Sequence, residues 1–178
     1  MRHDPDVIFI GEIRDRETAE IAVQASLTGH LVLSTIHTNS ATGAIGRFLD
    51  MGVADYLLSS SLVAVSAQRL VRRLCNACKE IEIPDSIASE RYGLLKDDRI
   101  YRAVGCPLCA KTGYQGRMAI AEMLEMTPAL RAQILRDPSS DALDATAHEG
   151  NFASMMRDGV ERVRAGLTTI EEVLRVAG

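Results

Sequence analysis

The sequence predicts a mixed α/β fold with a parallel sheet, an inserted module of four cysteines and a group of C-terminal helices. Two apolar runs, residues 7–10 and 31–36, flank a segment of helical periodicity, which is the pattern of a βαβ unit. All four cysteines lie in two Cys-x-x-Cys pairs within a polar stretch that lacks this periodicity. We therefore divide the chain into a core of residues 1–73, a module of residues 74–112 and a helical region of residues 113–178.

The first strand, the helix and the second strand are predicted from their apolar patterns and from the residues that begin and end the helix. Residues 7–10 are all apolar, which is typical of a parallel strand that is buried on both faces. Asp15 is placed to cap the helix that follows, and Gly29 stands where a glycine commonly terminates one. Together with strand 31–36, these elements predict two parallel strands joined by a right-handed crossover.

The remainder of the chain is predicted to contain further helical and extended segments. A helix over residues 41–51 ends at a glycine, and a second helix covers residues 56–65. Extended segments lie at residues 68–71 and 117–124, the latter as a strand or a short helix. Three or four helices then occupy residues 128–176, between prolines and glycines.

Composition argues against several classes of protein. Hydrophobic residues make up 47% and charged residues 25% of the chain, which is typical of a globular protein rather than a disordered one. The net charge of −4 offers no electrostatic basis for binding nucleic acid, so we expect no nucleic-acid partner. No apolar run reaches the length of about 18 residues that spans a membrane, and the first residues lack the apolar stretch of a signal peptide. These features predict a cytoplasmic chain.

The two cysteine pairs, Cys75/Cys78 and Cys106/Cys109, indicate a metal site. A Cys-x-x-Cys turn directs two thiolates at one ion, and two such turns complete the tetrahedron that structural Zn²⁺ prefers. The 27 residues between the pairs form a longer loop than is commonest in zinc ribbons. We expect the ion to fold the module and to have no catalytic role.

Three other interpretations of the cysteines stay open on spacing alone. Two disulfides fit poorly with a chain that has no export signal. A redox pair normally follows a strand in a thioredoxin-like βαβ unit, which neither pair does. Four unconnected buried cysteines are the remaining alternative.

Polar side chains follow the first predicted strand and flank the second. Glu12 comes just after the first strand, at the edge of a parallel sheet where ligands bind. A carboxylate there holds Mg²⁺ through water or polarises a water that attacks a phosphate, although such a glutamate is more often simply solvated. His30 and His37 stand at opposite ends of the second strand, where histidines more often cap or pack than catalyse. Because His37 shares its edge with Glu12, the sequence predicts a site there.

Several segments, in the same order along the chain, resemble the secretion and pilus-assembly ATPases. The segment Asp-Val-Ile-Phe-Ile-Gly-Glu within residues 2–15 is similar to their Walker B segment, and residues 28–39 are similar to their histidine box. Residues 67–75 and 109–117 resemble the borders of their zinc module, and residues 158–173 resemble their tail. The resemblance covers nearly the whole chain and implies a partial RecA-like sheet.

The resemblance implies catalytic roles for three side chains. Glu12 matches the Walker B glutamate, which supports Mg²⁺ and the attacking water. His37, and with it His30, would sense or stabilise the γ-phosphate.

The resemblance also implies nucleotide-binding roles for three arginines. Arg14 and Arg47 match arginines that reach a phosphate or a neighbouring subunit, and Arg117 matches a residue near the nucleotide base. Each of the three has the alternative of being a solvated or structural cation.

The phosphate-binding loop of this family is absent from the sequence. That loop, Gly-x-x-x-x-Gly-Lys followed by Ser or Thr, cradles phosphates with backbone N–H groups and a lysine. None of the three lysines here follows a glycine. In the family the loop precedes Walker B, so we expect this chain to be either a piece cut from a longer protein or a truncated gene product. By itself it should hydrolyse ATP negligibly.

By this resemblance the chain is the C-terminal portion of a homo-hexameric ATPase that powers type II secretion by driving pseudopilus assembly. The full-length enzyme would use ATP and Mg²⁺ and would dock on inner-membrane platform proteins through an upstream N-terminal region. It would thus be cytoplasmic and peripheral to the inner membrane. The alternatives are a type IV pilus extension ATPase and a non-catalytic, zinc-stabilised interaction fragment. A retraction ATPase is disfavoured because that branch lacks the cysteine module.

Overall fold

A computed structural model describes residues 5–84, 86–95, 97–150 and 152–178. Its helices and strands, in chain order, are β1 (Val7–Ile10), α1 (Arg16–Leu27), β2 (Leu31–Ser34), α2 (Ala41–Asp50), α3 (Asp55–Ser61), β3 (Ala64–Leu74), β4 (Glu80–Glu82), α4 (Ser86–Tyr92), β5 (Ile100–Arg102), β6 (Tyr114–Glu125), α5 (Pro128–Arg136), α6 (Ser140–Glu149), α7 (Met155–Arg164) and α8 (Ile170–Ala177). A single 3-10 turn, Pro107–Cys109, precedes β6. The mixed α/β class is confirmed, as are the strand near residue 120 and the helices of the C-terminal region.

The predicted βαβ unit is present. β1 and β2 pair in parallel, with Val7 opposite Leu31 and Ile10 opposite Ser34. In the described ranges the remaining strands form two further ladders, β3 with β6, and β4 antiparallel to β5. The predicted second strand therefore stops two residues early, because β1 offers no partner beyond Ile10.

Both predicted ends of α1 are confirmed. The side chain of Asp15 accepts a hydrogen bond from the N–H of Thr18, as an N-cap does. At the other end Gly29 has a φ of 99°, which glycine adopts without steric cost. The N–H groups of Gly29 and His30 then donate to carbonyls of the last helical turn, the pattern of a Schellman motif.

Only one face of the β1–β2 ladder is buried, whereas the sequence predicted burial on both. Ile10 and Val32 pack against a hydrophobic core. The large side chains of the other face are exposed, by the following fractions: Val7 51%, Phe9 72%, Leu31 50% and Leu33 49%. The same continuous apolar sequence occurs in strands that are covered on both faces and in strands that are covered on one. Hydropathy therefore could not distinguish these two kinds of burial.

The region between α2 and the first cysteine differs in length from the prediction. α3 ends at Ser61 because Leu62 adopts an extended backbone, with φ −72° and ψ 131°. The β-branched residues that follow favour a strand, and β3 extends from Ala64 to Leu74 rather than over a few residues.

The chain divides into two compact units. Unit 1 consists of Met1–Ala67 and Met123–Phe152, and unit 2 consists of Gln68–Glu122 and Ala153–Gly178. β3 and β6 contribute residues to both units. The three-part division predicted from sequence stays a prediction.

Unit 1 has a single hydrophobic core beneath the β1–β2 ladder. The core is formed by α1, α2, α3, α5 and α6, with fully buried side chains that include Ala19, Ile45, Ile134 and Leu143. Arg131 of α5 donates to the carbonyls of Ser59 and Leu62 and thereby satisfies the end of α3.

Unit 2 packs α7 against α8 and against β5. Its buried apolar side chains include Val71, Leu94, Ile120, Val163 and Val173. The cysteine region was predicted to lack periodicity, yet it contains the β4–β5 ladder and the short helix α4. These elements are each seven residues or fewer, too short to produce a periodic pattern.

Candidate functional site

The carboxyl ends of β1 and β2 bring three predicted site residues together. Arg14 Nε donates to Glu12 Oε2 at 2.6 Å, and His37 Nε2 lies 3.2 Å from the same oxygen. Two hydrogen bonds hold the segments together just beyond the strands. The N–H of Ile13 donates to the carbonyl of Thr35, and the side-chain hydroxyl of Thr35 donates to the carbonyl of Gly11. The predicted meeting of Glu12 and His37 at one sheet edge therefore occurs.

Glu12 is open to solvent and ionised. Its side chain is 35% exposed, and those of Arg14 and His37 are 71% and 82% exposed. The hydrogen bond from Arg14 holds the pKa of the Glu12 carboxyl below its ordinary value, with a smaller contribution from His37. Both contacts fall on Oε2, and Oε1 makes no hydrogen bond to any residue that the structure describes.

His30 lies at the opposite end of β2 from this group. Its Nδ1 is 3.0 Å from the carbonyl of Ala25 and 3.1 Å from the hydroxyl of Thr28. Because the carbonyl can only accept, Nδ1 carries the proton in this contact. His30 thus helps to cap α1, and its catalytic assignment stays a prediction.

The two remaining arginines lie in different units. Arg47 is exposed in the last turn of α2 in unit 1, and Arg117 is exposed on β6 in unit 2. Neither forms an ion pair with a residue in the described part of the chain. Arg2, His3 and Asp4, which begin the segment similar to Walker B, lie outside the described residues.

The four cysteines meet at one point in unit 2. All four Sγ atoms lie within 4.8 Å of one another, with 4.0 Å between Cys75 and Cys106 and 3.8 Å between Cys78 and Cys109. A tetrahedral site with Zn–S bonds of about 2.3 Å requires sulfur atoms about 3.8 Å apart. Disulfides require about 2 Å, and all four thiols are free. The arrangement fits a metal ion and contradicts the disulfide interpretation.

Backbone N–H groups point at the sulfur atoms. Cys109 Sγ accepts from the N–H of Cys106 at 3.1 Å and of Gly113 at 3.2 Å, and Cys78 Sγ accepts from Gly105 at 3.3 Å. The N–H of Cys106 is the main cause that lowers the pKa of Cys109 to about 6, whereas burial raises the pKa of Cys78 to about 12. These N–H groups stabilise the thiolate of Cys109, the form that binds metal, whereas burial without a cation favours the neutral thiol of Cys78.

Two glycines allow the chain to turn around this cluster. Gly105 has a φ of 109° and Gly113 a φ of 77°. A Cβ on Gly105 would stand 2.5 Å from the carbonyl oxygen of Lys111, and one on Gly113 would stand 2.6 Å from Cβ of Ala103. Any larger residue would clash with backbone or Cβ atoms at these positions.

The sequence analysis did not predict an ion network around a buried carboxylate near the end of the chain. Glu172 of α8 is 2% exposed and accepts from Arg72 Nη2 at 2.7 Å, from the Arg72 N–H at 3.0 Å and from Arg175 Nη2 at 2.9 Å. The Arg72 guanidinium also lies 4.1 Å from the centroid of the Tyr114 ring. The Thr-x-x-Glu sequence at Thr169 is typical of a capping box. In that motif the Glu172 carboxylate would accept a hydrogen bond from the backbone N–H of Thr169 and not from Arg72.

Comparison with known proteins identifies the family. Residues 1–175 match the family described as Type II/IV secretion system protein. The chain belongs to this family. It is 48% identical to the type II secretion system ATPase E of Vibrio cholerae and 51% identical to the type II secretion system protein E of Pectobacterium carotovorum, over 99% of its own length in both cases. It spans only 35% of each of these relatives.

Solved structures of two other proteins share the fold. A crystal structure of the pilus retraction motor PilT with bound ADP superposes with a TM-score of 0.68 at 26% identity, covering 98% of this chain and 40% of that one. The ATPase DotB of Legionella pneumophila gives a TM-score of 0.67 at 20% identity, over 98% of this chain and 39% of that one. In the described residues of this chain, no helix has both the length and the apolar content needed to cross a bilayer.

Proposed function

We propose that this chain is the C-terminal portion of a homo-hexameric ATPase that powers type II protein secretion by driving pseudopilus assembly. The observation that carries the proposal is the contact of Glu12 with His37 at the carboxyl end of the parallel ladder. It occurs in a chain about half identical to a type II secretion ATPase over nearly its whole length. Carboxylates at this edge of an α/β sheet are suited to act on a bound ligand.

Glu12 is the residue that would act on the attacking water. Its Oε1 faces no other described partner, so it is free to accept a hydrogen bond from water while Arg14 holds Oε2. The lowered pKa keeps the carboxylate ionised, so that it accepts a hydrogen bond from that water and orients it. Mg²⁺, when bound with ATP, supplies charge neutralisation for the phosphates.

Histidine and arginine side chains would complete the nucleotide site. His37 lies beside Glu12 and can donate to a phosphate oxygen. Arg14 and Arg47 would reach a phosphate or a neighbouring subunit, Arg117 would lie near the base, and His30 would support the γ-phosphate. Arginine suits such contacts because its guanidinium binds phosphate through two parallel N–H groups.

Cys75, Cys78, Cys106 and Cys109 would hold one structural Zn²⁺. The sulfur separations and the N–H groups directed at the sulfurs support this assignment. A closed site of four thiolates leaves no position for a substrate, so the ion would supply folding energy rather than chemistry. The longer protein would be cytoplasmic and would dock on inner-membrane platform proteins.

The decisive experiment is Glu12→Gln in a longer protein to which the upstream sequence of the family, with its phosphate-binding loop, has been restored. We expect turnover of ATP to fall by about 100-fold or more, because a positioned base contributes at least that much, while nucleotide affinity changes little. The 178-residue chain alone should show no hydrolysis above background, since it has no phosphate-binding loop.

Glu17→Gln is a matched control, since Glu17 is exposed nearby in the first turn of α1. It should leave turnover unchanged. Cells that carry only the Glu12→Gln protein should lose secretion of exported proteins and keep their surface pili. Turnover of Glu12→Gln close to that of the natural enzyme would contradict the role of Glu12, and loss of pili instead of secretion would contradict the assignment to type II secretion.

A further inference from the structure

A groove in unit 2 lies outside both sites described above. It runs between the end of α4 and the outer side of α7 and has a volume of about 380 Å³. Its lining includes three residues that we call the apolar floor, Tyr92, Met156 and Val160. It also includes three arginines, Arg91, Arg157 and Arg164. This volume is in the range of pockets that hold a small ligand or a few side chains of a peptide.

Arg164 lines the groove, but its guanidinium is already paired with two carboxylates and a carbonyl. Its Nε lies 3.2 Å from Asp98, its Nη1 2.5 Å from Glu161, and its Nη2 2.6 Å from the carbonyl of Gly93. These contacts fix the loop after α4 against α7. They also pair Glu161, the acidic side chain in the described lining, with a cation.

The other two arginines are uncompensated. Arg91 and Arg157 are exposed, and neither forms an ion pair with any residue in the described ranges. The Arg91 guanidinium lies 5.7 Å from the centroid of the Tyr92 ring, at the border of the apolar floor. The groove is therefore locally positive in a chain whose net charge is −4.

We propose that this groove binds an acidic segment of a partner protein, with an apolar side chain on the floor and carboxylates on Arg91 and Arg157. Guanidinium groups match carboxylates in bidentate geometry. Tyrosine, methionine and arginine are the residues enriched in protein interfaces, and methionine adapts its shape to different apolar side chains. Nothing in the proposed ATPase mechanism uses these residues.

The charges fit other macromolecules less well. Recognition of an anionic membrane usually takes a cluster of about 4 to 8 Lys or Arg, and nucleic acid requires a basic stripe along a face. Two uncompensated arginines beside an apolar floor suffice for neither. They do suffice for a short segment with two acidic residues around one apolar residue.

The test uses the 178-residue chain and a set of short fluorescent peptides with glutamates around a central leucine, measured by fluorescence anisotropy. A second set has glutamine in place of each glutamate. We expect the acidic peptides to bind at least about tenfold more tightly than their glutamine counterparts, the effect of losing one charge-assisted contact. Arg91→Glu and Arg157→Glu should each weaken binding of the acidic peptides by a similar factor.

Arg73→Glu is the matched control. Arg73 is exposed on β3 in the same unit, forms no ion pair with a described residue, and undergoes the same change of charge. It should leave peptide affinity within about twofold, and all three variants should keep the natural circular dichroism spectrum. Equal affinity for acidic and glutamine peptides, or binding that survives both groove substitutions, would overturn the proposal. Preferential binding to phosphatidylglycerol vesicles or single-stranded DNA, lost in the groove variants, would replace it with a membrane or nucleic-acid site.

Discussion

The carboxylate of Glu172 is buried in unit 2 and remains ionised. Burial by itself would raise the pKa of this group, but hydrogen bonds from Arg175 and Arg72 outweigh it and lower the pKa to about 2. The interaction joins α8 to β3, two elements 100 residues apart in sequence. A buried carboxylate whose arginine partners are in place stabilises the fold, and removal of its charge leaves those arginines without an anion.

Glu172→Gln should therefore lower the free energy of unfolding in a pH-dependent manner. The folded pKa lies below the ordinary value of 4.5, so the stabilisation is complete above about pH 4.5 and is lost as the pH falls towards 2. At pH 7 we expect a loss of about 2 kcal/mol, after allowance for solvent screening at the half-exposed arginines. Urea unfolding of the natural chain and the variant, at several pH values, measures the difference.

Glu171→Gln is the control for this measurement, because Glu171 is the exposed neighbour of Glu172 on α8. It should change stability by less than about 0.5 kcal/mol. Any metal released at low pH would destabilise the variant and the natural chain alike. The difference in unfolding free energy between them at each pH therefore excludes that effect. A difference for Glu172→Gln that stays constant from pH 7 to pH 3 would show that the charge of Glu172 contributes nothing.

At the scale of elements, the cysteine module is connected to the rest of unit 2 by contacts of its first residues. The N–H of Cys75 donates to the carbonyl of Gly113, and Lys79 Nζ donates to the carbonyl of Gly166 at 2.7 Å. Lys79 also lies 4.5 Å from the centroid of the Tyr101 ring. Loss of the cluster should therefore be felt at the start of β6 and in the loop between α7 and α8.

Cys106→Ser should unfold residues 75–109 and leave the core around Glu12 and His37 folded. Structural zinc of this type contributes about 10 kcal/mol or more, and the module has few buried apolar side chains to replace it. Hydrogen exchange should show loss of protection in the module and at its contacts in unit 2, with protection of residues 7–34 unchanged. Metal analysis should give about one equivalent of zinc for the natural chain and much less for the variant.

Asn76→Ser tests whether the effect belongs to the ligand. Asn76 is exposed within the other Cys-x-x-Cys turn of the cluster, between Cys75 and Cys78, and offers no sulfur. Its substitution should preserve both zinc content and protection. Equal loss of protection in residues 7–34 of the Cys106→Ser chain would mean that the cysteine module and the βαβ unit fold as one body.

At the scale of the whole molecule, the open face of the β1–β2 ladder is the largest departure from the predicted fold. Four large apolar side chains of one ladder face are about half exposed or more, including Phe9 at 72%. Extended apolar patches of this kind usually mark a surface that binds something. The chain spans 35% of these relatives, so a protein of their full length would have ample chain to cover this face.

Phe9→Asp should accordingly have opposite effects in two contexts. In the 178-residue chain it should reduce binding of the dye anilinonaphthalene sulfonate and change the unfolding free energy by less than about 0.5 kcal/mol. In the longer protein the same change should destabilise by about 3 kcal/mol or more, because a covered aromatic side chain would be replaced by a charge.

Ile45→Asp is a reference for burial, since Ile45 is fully buried in the core of unit 1. It should destabilise the chain in both contexts. An equally mild effect of Phe9→Asp in the longer protein would mean that this face stays open there.

Features that depend on near neighbours in the chain were predictable from sequence alone. Asp15 and Gly29 define the ends of α1 through bonds to residues no more than four positions away. The Cys-x-x-Cys spacing indicated that the two thiols of each pair lie close enough together to bind one metal ion. The order of strand, helix and strand then placed Glu12 and His37 at one edge of a parallel ladder, because parallel strands end on the same side.

Only the tertiary structure decided which side chains of distant segments meet. Glu172 follows a capping signal in sequence, yet it bonds to Arg72 across 100 positions. The open face of the ladder and the groove beside Arg91 likewise depend on what packs against each element. Hydropathy and spacing report the preference of a segment for a conformation, whereas burial and pairing depend on a second segment whose position no local pattern contains.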